Sequence, residues 1–189
     1  MAREPKHWSH ASPLARECFL ELAADPKSIR EAEELADCIG KHAGPLAPNT
    51  VAARCGIDIC QTDGLPAGVR GILFEPFDDI DPEGEEDERE VDEPRRLMAV
   101  PRSGKQANRA LSILHESSHG IYERFGYAYS HADVWRLTLA LGYPRSVVRQ
   151  VWLLPLDERE AALSRLGHLP SWCAAARLEF ERHRRRGAD

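Results

Sequence analysis

His115 and His119 stand four residues apart in the segment LHESSHGIYERFGYAYSHADVW (residues 114–135), with Glu116 between them, and His131 and Asp133 follow about a dozen residues on. On a helix, residues four apart project from one face, so both imidazoles can reach one ion. Glu116 then lies about 100° round the helix from His115, beside such an ion rather than on it, where a carboxylate can deprotonate a bound water. Imidazole and carboxylate donors suit zinc, and a catalytic zinc keeps one coordination position open. Zinc lowers the pKa of a bound water towards ~7 and polarises a carbonyl, which leaves the base a modest proton transfer. Two histidines do not complete such a site. Asp133 and His131, at the start of the next predicted helix, are the nearest candidates for a third ligand, and spacing alone does not choose between them. Tyr122, Tyr127 and Tyr129 carry hydroxyls that could donate to an oxyanion.

The five-residue His-Glu-x-x-His pattern is loose, so its context must carry the weight. A helix is predicted from about Gly104 to Tyr122, with an apolar face of Ala110, Ile113, Leu114 and Ile121. A turn centred on FGYAY would return the chain, and HADVWRLTLALG reads as the next helix, stopped by Gly142 and Pro144. Upstream, SPLARECFLELAAD has Ser12 as a cap and Pro13 in the first turn. DPKSIREAEELADCIGKHAG repeats that grammar from Asp25 to Gly44, and PNTVAARCG predicts a short helix ended by Gly56. IDIC, RGILFEP and RRLMAVP are short, β-prone and bounded by Gly, Pro and Asp, as expected of three strands. PRSVVRQVWLL, LDEREAALSRLG and SWCAAARLEFERHRRR complete a helical C-terminal part. The predicted class is α+β, with helices packed on a small three-stranded sheet. It divides into a helical lead (1–27), a central domain (28–150) and a helical extension (151–189).

Composition narrows the functional classes. The 189 residues carry a formal charge of -6. Twelve acidic side chains and one basic one fall between Glu75 and Glu93, leaving 24 basic and 19 acidic residues elsewhere. The acidic block is too poor in apolar residues to offset ordering, and is expected to be a solvated loop joining the last two strands. No apolar run reaches the ~18 residues needed to span a bilayer, and the N-terminal residues lack the apolar stretch of a secretory signal, so a cytoplasmic protein without membrane contact is expected. The five cysteines are odd in number and scattered, which fits a reducing compartment; Cys55 and Cys60 are expected as buried small hydrophobes rather than metal ligands. The basic tail RLEFERHRRRG suits a helix C-terminus, and direct nucleic-acid binding is not expected of it.

Over roughly Ile29 to Pro144 the chain resembles the ImmA/IrrE family of metallopeptidases. The likeness rests on PLAPNTVAARCGIDI as short helix and strand, on LMAVPRSGKQANRALSILHESSH as strand, Arg-containing lead-in and His-Glu-x-x-His, and on DVWRLTLALGYP as the following helix and its stop. The resemblance implies a zincin-like minimal metallopeptidase with a Zn2+ cofactor. It implies His115 and His119 as zinc ligands, Glu116 as catalytic base and Asp133 as third ligand in place of the family's glutamate. His131 stays open as a ligand or an oxyanion stabiliser, and Tyr129 as a hydroxyl donor. The implied substrate is a regulatory protein, such as a DNA-binding repressor cut on a stress or phage-induction signal, bound by strand addition near Leu97 to Pro101. Asp133, Trp135 where Asn is common, and Ser117 at a usually apolar place depart from the family pattern. They keep a second reading in view, a non-catalytic zinc-binding regulator or adaptor that uses the same groove.

Overall fold

The computed structural model describes residues 26–43, 47–74, 96–124 and 128–186. The helix expected from Ser12, the Asp25 cap, the Gly44 stop, the acidic loop and Tyr127 lie outside them. Seven helices and a three-stranded sheet are present among the described residues: α1 (Pro26–Ala43), α2 (Pro48–Arg54), β1 (Ile57–Thr62), β2 (Ile72–Phe74), β3 (Arg96–Pro101), α3 (Gln106–Arg124), α4 (His131–Gly142), α5 (Arg145–Trp152), α6 (Arg159–Leu166) and α7 (Ser171–Arg186). No described helix is long and apolar enough to cross a membrane.

Pro48 stands in the first turn of α2, where its missing N–H is not needed. Gly56, at φ 69°, turns the chain directly into β1. The sheet order is β1-β3-β2, with β1 parallel and β2 antiparallel to β3. β3 is therefore the central strand: Met98 pairs with Ile59 on one side and Leu73 on the other. Of the stretch Leu97 to Pro101, where a substrate was expected to add, Leu97, Met98 and Ala99 already pair on both sides, whereas Val100 and Pro101 pair with β1 alone. The open edges among the described residues are the outer sides of β1 and β2.

Alternation along the strands sends Ile57, Met98 and Val100 into a small core with Ala52 and Ile113, which seats α2 and α3 on one sheet face. Cys60 is exposed on β1, an edge strand whose alternate residues face away from the helices, and Cys55, at the end of α2, is half-buried, so neither is the fully buried cysteine expected. Cys173 is the buried one.

A second, larger core unites α1, α3, α4, α5, α6 and α7 through residues such as Ala36, Leu114, Leu137, Val148, Leu163 and Phe180. Where α3 crosses α4, small hydroxyl residues replace bulky apolar ones. The hydroxyls of buried Ser118 and Thr138 meet at 3.1 Å, and each donates back to its own helix, to the Leu114 and Val134 carbonyls. Their small volume permits close approach of the two helices that carry the histidines. On the far side, Arg177 of α7 is 1% exposed; it donates to the Tyr143 carbonyl at 3.1 Å and is ion-paired with Glu33 of α1. The basic end of α7 is likewise committed to carboxylates, with Arg184 and Arg185 both bonded to Glu181.

Candidate metal centre

α3 supplies the first two imidazoles one turn apart, and α4 supplies the third at its first residue. Ligand atoms of His115, His119 and His131 all lie within 4.8 Å of one another, and these three form the one such group among the described residues. The Nε2 atoms of His115 and His131 face each other at 3.0 Å. Donors at about 2.0–2.1 Å around a tetrahedral zinc lie roughly 3.3 Å apart, so the spacing fits that ion. The protonation chemistry fits as well. Burial first, and then His119 and His131, lower His115 to about 3. Burial and His131 also lower His119, against an opposing pull from Glu123. Neutral imidazoles keep the lone pairs that a cation needs.

Asp133 is placed elsewhere. Ser130 caps α4: its hydroxyl accepts from the Asp133 N–H, while Asp133 Oδ2 accepts from the Ser130 N–H at 2.8 Å. The other carboxylate oxygen is paired with Arg136, which is 6% exposed. A capping box thus holds Asp133 as the third helical residue, and the same box presents His131 at the first. The group has His131 where the resemblance implied Asp133. The signal lay in Ser-His-Ala-Asp, a Ser-x-x-acid pattern ahead of an apolar run.

Glu116 sits half-buried beside the histidines. Desolvation, with a smaller contribution from the Glu123 carboxylate, raises it to about 7, close to the pKa an acid–base catalyst needs near neutrality. Its side chain lies against the backbone that opens β2: a Cβ on Gly71 would come within 3.0 Å of Glu116 Cγ and 3.2 Å of Oε1. Glycine is what allows this approach. Trp135, one turn along α4 from His131, sets its indole 4.5 Å from the His115 ring, with Trp172 of α7 behind it at 5.7 Å.

Tyr129 donates its hydroxyl to Glu123 Oε1 at 2.8 Å and lies 3.5 Å from His119 Nδ1. Its proton is therefore directed at a carboxylate rather than at the space among the histidines. Tyr122 donates to the Asp133 carbonyl at 3.4 Å, and burial raises its hydroxyl pKa. Neither Gly71 nor Glu123 stood out in the sequence, although Glu123 continues the His115, His119 row at the next four-residue step. Ser117, the departure on α3, is fully buried, and its hydroxyl has no hydrogen-bond partner. Comparison of the chain with protein-family models, curated proteins and solved structures found no match.

Proposed function

We propose that the chain is a zinc-dependent endopeptidase that makes limited cleavages in a partner regulatory protein, as the resemblance to the ImmA/IrrE family implies. The observation that carries the reading is the convergence of three imidazoles from two helices, with the half-buried Glu116 carboxyl next to them. Three protein donors with a fourth position open are the ligand count of a catalytic zinc, whereas structural sites use four. Zinc, when bound, supplies Lewis acidity for a carbonyl and acidifies water.

In this reading His115, His119 and His131 hold the ion. Glu116 takes a proton from the attacking water and returns it to the amide nitrogen that leaves, so one group serves as base and then acid. An extended substrate segment would run beside β2, the open edge that follows Gly71 at the Glu116 side chain, and add to the sheet through backbone hydrogen bonds. Trp135 walls the group on the α4 side and limits water there.

Substrate trapping with Glu116→Gln tests the proposal. The variant should keep its zinc and its fold, hold the partner, and lose roughly two to four orders of magnitude in cleavage rate. New termini, found by mass spectrometry, should arise in the captured partner with the wild-type protein and not with the variant. Equal biological activity of the two proteins, with an intact partner in both, would replace the peptidase by the adaptor.

A further inference from the structure

The three imidazoles are not held alike. His115 Nδ1 is buried without a hydrogen-bond partner, whereas His119 Nδ1 lies 3.5 Å from the Tyr129 hydroxyl, with the two rings edge to face at 5.7 Å. Tyr129 in turn donates to Glu123 Oε1 at 2.8 Å, and the other oxygen of Glu123 is paired with Arg96, the first residue of β3. A tyrosine has one hydroxyl proton, and an ionised carboxylate only accepts. Once that proton is given to Glu123, the tyrosine oxygen can only accept on its remaining side. A stable contact with His119 therefore requires the imidazole proton on Nδ1.

We propose that Glu123 and Tyr129 are positioning residues that fix the tautomer and ring orientation of His119, leaving its Nε2 lone pair for a metal. Arg96 anchors this relay to the sheet, so the geometry of the histidine is set by the central strand as well as by its own helix. Tyr122 stacks on the Tyr129 ring at 5.2 Å and keeps the phenol in register with Glu123. The relay is the kind of outer support that orients metal-binding histidines, here passed through a phenol. Tyr129, expected as an oxyanion donor, acts instead behind a ligand. The inference rests on the metal-centre reading above.

The test uses the full chain, made metal-free and titrated with Zn2+ against a competing chelator. Tyr129→Phe and the isosteric Glu123→Gln should each weaken zinc binding about 10- to 100-fold. The double variant should lose little more than the worse single one, because both break the same relay. Nitrogen-detected NMR of the metal-free wild type should show His119 protonated on Nδ1, and both variants should shift it towards the Nε2 form. Circular dichroism confirms that each variant is folded, and Glu123→Gln carries the test if Tyr129→Phe is not. Wild-type zinc affinity in both single variants, with affinity lost in His119→Ala, would overturn the relay alone. So would fully additive losses, or His119 protonated on Nε2 in the wild type. A wild-type chain that takes up no zinc would remove the metal-centre reading and this proposal with it.

Discussion

Replacing Asp133 by alanine should destabilise the protein without abolishing zinc binding. The carboxylate has two structural tasks, and their costs can be assigned separately. Loss of the capping box at the start of α4 leaves the Ser130 N–H without its acceptor, at about 1 kcal/mol. Loss of the ion pair leaves the Arg136 guanidinium, 6% exposed, without this carboxylate. Breaking a fully buried pair costs about 3–5 kcal/mol, but the Asp133 side chain is 23% exposed, which reduces the loss to roughly 1–2 kcal/mol. The sum is about 2–3 kcal/mol, or a fall in Tm of roughly 4–12 °C for a chain of this size. The assay pairs thermal unfolding of the metal-free proteins with zinc content and affinity. Asp133→Ala should retain zinc and melt early. His131→Ala should behave in the opposite way, losing zinc affinity by more than about a hundredfold while its metal-free form unfolds within about 1 kcal/mol of the wild type. Loss of zinc in Asp133→Ala with an unchanged melt, or retention of zinc in His131→Ala, would refute the assignment of the third ligand.

Other consequences are independent of that pair. Gly71→Ala puts a Cβ about 3.0 Å from Glu116 Cγ, so the carboxylate must shift; cleavage should slow by roughly tenfold or more while zinc content stays the same, as read by peptide hydrolysis beside metal analysis. Glu33→Ala strands the buried Arg177 between α1 and α7 and should cost about 3–5 kcal/mol, seen as a lower urea midpoint; a change below 1 kcal/mol would show that the pair does not secure α7 to α1.

Much of this architecture is legible in the sequence, for identifiable reasons. The apolar spacing of Ala110, Ile113, Leu114 and Ile121 marks α3, and all four are buried. Proline and glycine punctuation bounds α2 and α4 to within a residue or two. Sheet order is a tertiary fact and was harder to read. RLMAVP was expected at an edge, yet its Leu97, Met98 and Ala99 pair with β1 on one side and β2 on the other. The site divides in the same way. His115, Glu116 and His119 follow from helical periodicity alone. That His131 rather than Asp133 joins the three-histidine group follows from local capping chemistry, which engages the Asp133 carboxylate with Ser130 and Arg136. Gly71 reaches Glu116 across some 45 residues of chain, and the Arg96–Glu123 pair links a strand to a helix; contacts of this kind leave no local pattern.

The most direct test of the three-histidine centre is X-ray absorption at the zinc edge on the loaded wild-type protein. The account predicts three imidazole nitrogens at about 2.0–2.1 Å, with light-atom donors completing the shell and no sulfur. Two imidazoles with a protein carboxylate in place of the third, a cysteine sulfur in the shell, or a chain that holds no zinc would contradict it.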